Sequence, residues 1–261
     1  MSENPETQVD EVLTEVRGNV LIITLNRPEA KNAASQNMAQ KMAKILDDFD
    51  ADDSLFVGII TGAGGTFCSG MDLKGFLRGE RPSIDGRGFL ALTEAPPRKP
   101  LIAAVEGYAL AGGFETMLAC DLVVAAETAK FGVPEVKRGL VAAAGGVTIL
   151  PQRTSRAVAM EMALTGNIYP AEFGKTNGFV NTIVEDGKAL DGALELAQTI
   201  AANGPLAVQV SKQVITESQD WSQGEMWEKQ APLIKDVFES EDAKEGSRAF
   251  AEKRAPQWTG K

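Results

Sequence analysis

"KPLIAAVEGYALAGGFETMLACDLVVAA" occupies residues 99–126, and its reading decides the fold. It reads as a strand, a run of glycines, a short helix and a second strand. Upstream, "LFVGIITGAGGTFCSGMDL" (55–73) follows the same plan, a buried strand entering a glycine-rich loop. Such units aim backbone N–H groups at a ligand. Neither loop is a P-loop, because no Gly-Lys-Ser or Gly-Lys-Thr follows, and neither has the spaced glycines of a dinucleotide site. Glu115 stands in the helical part among Met, Leu and Ala. It is either a helix-start charge, worth about 0.3–1 kcal/mol at a surface, or a buried acid whose proton is used.

Outward from this stretch the pattern repeats. "EVLTEVRGNVLIITLNRP" (11–28) reads as a hairpin turning at Arg17-Gly18-Asn19. "SQNMAQKMAKILDDFD" (35–50) sets Met38, Met42, Ile45, Leu46 and Phe49 at helical spacing behind Ser35 as N-cap. The charged stretch 74–99, with its Gly and Pro, reads as a mobile surface segment or lid, with an ordinary long loop as the alternative. Beyond Pro170 the chain becomes a series of helical segments. The expectation is therefore an α/β core over 1–197 and a C-terminal helical region over 198–261. The latter is too small for a core of its own and must pack on the body or on another subunit.

Composition excludes much. The chain has 26 Lys and Arg against 36 Asp and Glu, a net charge of −10, which disfavours nucleic acid as a partner. The acidic start lacks the basic and apolar regions of a secretory signal, and no apolar run is long enough for a membrane span. The expected location is the cytoplasm, without membrane attachment. Cys68 and Cys120 read as two reduced, buried thiols. Histidine is absent, which removes Ser-His-Asp and Cys-His nucleophiles and His-bearing zinc motifs. With no metal expected, acid–base chemistry then falls first to carboxylates, with Lys, Tyr or Cys behind them.

The series "NRPEAKNA" (26–33), "FCSGMDL" (67–73), residues 99–115, "CDLVVAAETAKFGVPEVKRGL" (120–140), "AMEMALTG" (159–166) and "SEDAKEGSRAFAEKR" (240–254) resembles the enoyl-CoA hydratase, or crotonase, family over nearly the whole chain. The phrase "GGFE" and the C-terminal run are similar to carnitinyl-CoA dehydratase within it. The resemblance implies a crotonase-like right-handed spiral of ββα units with C-terminal helices for trimerisation, the trimers pairing into hexamers. It implies an enzyme adding water to a 2-enoyl-CoA in fatty acid metabolism such as β-oxidation, with no cofactor, since coenzyme A is part of the substrate.

By the same resemblance, the N–H groups of Met71 and Gly112 form an oxyanion hole for the thioester. Glu115 and Glu135 are the catalytic pair, Glu115 activating water and Glu135 protonating C2. Coenzyme A is expected at Arg27, Ala30, Lys31, Ser69, Gly70, Asp72 and Leu73, with Lys74 nearby and Phe250 and Lys253 reaching across a trimer interface. Two departures stand out. Ala111 holds a place often held by glycine, and Ala142-Ala143 and Thr148-Ile149 alter a stretch beside the acyl pocket, so acyl preference does not transfer. The competing readings are an isomerase, which manages with one carboxylate, a carnitinyl-CoA or hydroxyacyl-CoA dehydratase using the same pair, and a non-enzymatic acyl-CoA or RNA-binding member. A protease of this fold is excluded by the missing histidine.

Overall fold

Alternation along each strand explains how the chain winds. In the computed structural model, which describes residues 10–261, β1 (Val12–Arg17) and β2 (Val20–Leu25) form the hairpin, with Val12 opposite Leu25. Most of the acidic start read for a leader lies outside the described residues. Helix α1 (Gln36–Ala51) begins where the Ser35 side chain accepts the Met38 N–H, and it buries Met38, Met42, Leu46 and Phe49. The chain continues as β3 (Val57–Gly62), α2 (Leu73–Leu77), β4 (Ser83–Ile84), β5 (Gly88–Phe89), β6 (Leu101–Val105), β7 (Tyr108–Leu110) and α3 (Gly112–Ala119). Next come β8 (Leu122–Ala126), β9 (Lys130–Gly132), α4 (Leu150–Arg153), α5 (Arg156–Thr165), β10 (Tyr169–Pro170), α6 (Ala171–Thr176), β11 (Thr182–Val184) and α7 (Ala189–Ala201).

The main sheet runs β1-β2-β3-β6-β8-β11, and every pair beyond the hairpin is parallel. Parallel strands are covered on both faces. Ile60, Ala103 and Ala125 join the large core with α1 and α3, while Ile59, Ile102 and Val124 join a second core beneath α7. That helix presents Ala189, Ala193 and Ala197, four apart and fully buried, so its backbone lies close to the sheet.

A smaller layer has order β10-β9-β7. Isolated bridges Ala34↔Met71 and Cys68↔Ala109 stitch the loops after β2 and β3 to the same layer. Each turn of chain thus contributes a strand to the large sheet, a strand or bridge to the small layer, and a helix. This is the spiral of ββα units, wound in the sense that parallel crossovers take in nearly all proteins.

One expectation needs correction. Residues 88–93 are not a mobile surface: Leu90, Ala91 and Leu92 are fully buried, and Leu90 and Ala91 take φ of 49° and 55° to turn inward. The polar average over 74–99 hid this short apolar run. The expected boundary at 197/198 lies within the span of α7, Ala189–Ala201.

Beyond it lie α8 (Pro205–Glu217), α9 (Met226–Glu239) and α10 (Glu241–Glu252). Pro205 is the only buried residue of α8, and α9 has none. Polar contacts hold α8 to the body: Lys212 Nζ meets Asp121 Oδ2 at 2.7 Å and donates to the carbonyls of Pro97 and Lys99 at 2.8 and 3.0 Å. The tail folds back so that Trp258 Nε1 donates to the Ala202 carbonyl at 2.8 Å. Among the described residues, no helix is long and apolar enough to cross a membrane.

Candidate active site

Two glycine-rich loops from successive turns of the spiral meet above the core. Helix α3 starts at Gly112, behind Ala111 with φ 51° and ψ −129°, a backbone that costs a non-glycine residue about 1–3 kcal/mol. Space forces glycine on either side. A Cβ on Gly112 would stand 2.4 Å from the Phe89 ring, one on Gly113 would stand 2.1 Å from the Cys68 carbonyl, and one on Gly70 would stand 2.8 Å from Ala111 Cβ. The loop carrying Met71 and the start of α3 are therefore in direct contact. At the far end of α3, Arg153 donates to the carbonyls of Leu118, Cys120 and Asp121, placing a cation where the helix dipole favours one.

All eight residues of α3 are buried, and Glu115 is 3% exposed. It is a buried acid, not a surface helix charge. Its Oε1 accepts N–H groups of Ala144 at 2.7 Å and Gly146 at 2.9 Å. Burial pushes its proton affinity up while these two donors pull it down, and the balance is upward. Glu135 lies on the one-turn helix Pro134–Arg138, and its Oε2 is buried without a hydrogen-bond partner. Burial lifts its pKa to about 7; the Glu115 charge adds to the rise and the Arg138 charge opposes it.

One cavity of about 1030 Å³ brings these groups together. Its wall includes Met71, the Gly112 and Glu115 of α3, and Glu135, from three separate stretches of the sequence. Ala30, Lys31, Ser69, Leu73 and Lys74 also line it. Arg27 lines it too, but its guanidinium is already engaged, at 3.0 Å from Asp72 Oδ2, 3.3 Å from Glu11 Oε1 and 2.5 Å from the Ala33 carbonyl. Asp72 additionally accepts the Lys74 and Gly75 N–H groups at the start of α2. Both residues line the cavity while bracing its wall through these contacts. Gly70 supports the wall without lining it, and Phe250, 89% exposed, and Lys253 at the end of α10 are not among the lining residues of this chain's own cavity.

Sequence reasoning missed the N–H pair of Ala144 and Gly146. The signal available was the Gly145-Gly146 doublet: a Cβ on Gly146 would lie 2.5 Å from Ala142 Cβ and 3.1 Å from Glu115 Oε1. It also missed Phe89, Tyr108 and Arg138 on the cavity wall. Cys68 and Cys120 are free and buried, and burial pushes both thiols up to about 12, so neither supplies a thiolate at neutral pH.

The profile of the enoyl-CoA hydratase/isomerase family matches residues 15–261. The chain is 42% identical to enoyl-CoA hydratase EchA19 of Mycobacterium tuberculosis, with 95% of this chain and 96% of that protein covered. It is also 42% identical to the carnitinyl-CoA dehydratase of Escherichia coli K12, with 94% and 96% covered. A crystal structure of an enoyl-CoA hydratase from Mycobacterium tuberculosis superposes with a TM-score of 0.95 at 56% identity, covering 96% of this chain and 99% of that one. Together with the spiral fold and the two-carboxylate cavity, these likenesses show that the chain belongs to the enoyl-CoA hydratase/isomerase family of enzymes.

Proposed function

We propose that the protein reversibly adds water across the 2,3 double bond of a 2-enoyl-CoA thioester. The observation that carries this reading is a single cavity wall bearing two carboxyl groups in unlike settings, Glu115 and Glu135, beside the contacting loops of Met71 and Gly112. The thioester oxygen is held by the N–H groups of Met71 and Gly112, which stabilise the enolate as charge develops; one such donor is worth roughly 2.7–4 kcal/mol of barrier. With Oε1 tied to two backbone donors, Glu115 has Oε2 free to take a proton from water. The hydroxide oxygen bonds to C3, the π electrons move into the enolate, and Glu135 delivers its proton to C2. A proton then passes from Glu115 to Glu135 through solvent, restoring the pair.

The same steps in reverse eliminate water from a 3-hydroxyacyl-CoA, so dehydration needs no new group. An isomerase needs only one acid at the cavity, and the presence of two on its wall favours hydration. We further infer a homotrimer, or a hexamer of paired trimers, in which Phe250 and Lys253 complete a neighbouring subunit's coenzyme A site. The exposure of Ile215, Trp227, Phe238 and Phe250 on the C-terminal helices supports this. Crotonyl-CoA and 3-hexenoyl-CoA assayed side by side test the activity. Loss of conjugated-thioester absorbance with crotonyl-CoA is the expected result, and a gain with 3-hexenoyl-CoA alone would mean isomerisation.

A further inference from the structure

Side chains three apart eclipse one another on a 3-10 helix. On the one-turn helix Pro134–Arg138, Glu135 and Arg138 therefore share a face, and both line the cavity. Val136 and Lys137 turn the other way: a Cβ on Gly166 would lie 3.0 Å from Val136 Cγ2 and 3.3 Å from Lys137 Cε, and Lys137 Nζ donates to Asn167 Oδ1. Arg138 makes no side-chain hydrogen bond or ion pair among the described residues. Several other arginines are held by their own chain, Arg27 by Asp72, Arg87 by Asp47, Arg153 by carbonyls and Arg254 by Glu245, while Arg156, also without such a partner among the described residues, is exposed and does not line the cavity. Arg138 is exposed, and beside Glu135 on the cavity wall its guanidinium is open to an anionic ligand group.

Resting on the hydratase reading, we propose that Arg138 is a specificity-determining residue that receives a carboxylate at the far end of the acyl group. The preferred substrates are then 2-enoyl-CoA thioesters of dicarboxylic acids. The geometry sets the reach. Three residues of 3-10 helix advance about 6 Å, so a guanidinium one turn from Glu135 meets a group a few carbons beyond C3. The fork of arginine suits a carboxylate better than a lysine would. Coenzyme A phosphates are the other anion available, and Lys31 and Lys74, which line the cavity from the separate chain stretch 27–74, are further cations that could take them. Glu94 also lines the cavity and is the group that would instead read a cationic acyl end.

Three esters of similar length test this: glutaconyl-CoA with a terminal carboxylate, 2-pentenoyl-CoA without charge, and the 4-trimethylammonio-crotonyl ester. The expected result is a kcat/KM for glutaconyl-CoA about tenfold or more above that for 2-pentenoyl-CoA, as for one charge-assisted pair. Arg138→Gln brings that ratio to about one, Arg138→Lys keeps part of it, and Lys137→Ala keeps it whole. Calorimetric binding of glutaryl-CoA against butyryl-CoA reads the same ratio in Kd without turnover. A wild-type ratio near one overturns the proposal. So does an Arg138→Gln protein that loses all three esters equally, which assigns the arginine to phosphate, or a preference for the trimethylammonium ester removed by Glu94→Gln. If no ester is hydrated while glutaryl-CoA retains its Arg138-dependent advantage, the hydratase reading falls and the carboxylate site stands.

Discussion

Glu115 and Glu135 are both carboxyls pushed upward by burial, yet their surroundings differ. Glu115 has two backbone donors that stabilise its anion, whereas Glu135 has a buried oxygen with no donor. Glu115→Gln and Glu135→Gln are each expected to lower kcat for crotonyl-CoA by about 10²–10⁴-fold, measured by loss of thioester absorbance. In the proposed mechanism Glu135 donates a proton, and burial lifts its pKa to about 7, so kcat/KM should fall on the alkaline side of about pH 7. Stability follows the same group. The native protein holds a proton on Glu135 that the unfolded chain releases from its ordinary value of 4.5, so stability falls as pH rises from about 4.5 to 7. Denaturation of wild type and Glu135→Gln across that window should show the wild type alone losing this contribution.

At the scale of elements, the site depends on loops that have little freedom. Gly146→Ala places a methyl against Ala142 and Glu115 Oε1, forcing the loop outward and breaking an N–H bond to a charged group. That bond is worth about 1.5–3 kcal/mol, so kcat should fall roughly 10- to 100-fold, with the apparent pKa of the acidic limb rising. Ala111 gives the opposite test. Its φ of 51° and ψ of −129° suit glycine, and Ala111→Gly should stabilise the protein by about 1 kcal/mol after the extra freedom of glycine is counted. Thermal unfolding reads the difference. Much of this level was legible in the sequence: the hairpin, the Ser35 cap and the start of α3 at Gly112 each follow from local residues. The inward turn at Leu90 and Ala91 was not, because two non-glycine residues with positive φ carry no local signature and are held only by the core around them.

For the whole molecule, the C-terminal helices are the weakly buried part, tied down by a few strong polar contacts. Lys212→Met removes the charge-assisted bonds to Asp121 and two carbonyls and should cost about 1.5–3 kcal/mol. Chemical denaturation would measure it, and light scattering on the same variant would show whether the proposed trimer loosens with α8. Sequence alone determined the repeating strand, glycine and helix units, the helical end, and the absence of any histidine-based chemistry. Those are properties of short windows and of composition, where periodicity and residue type suffice. Only the tertiary structure decided that Glu115 is cradled by Ala144 and Gly146, that Arg27 is committed to Glu11 and Asp72, and that Arg138 is left facing the cavity. Each of these joins residues from different turns of the spiral, or turns on a partner's absence, and spacing along the chain does not encode a distance across it.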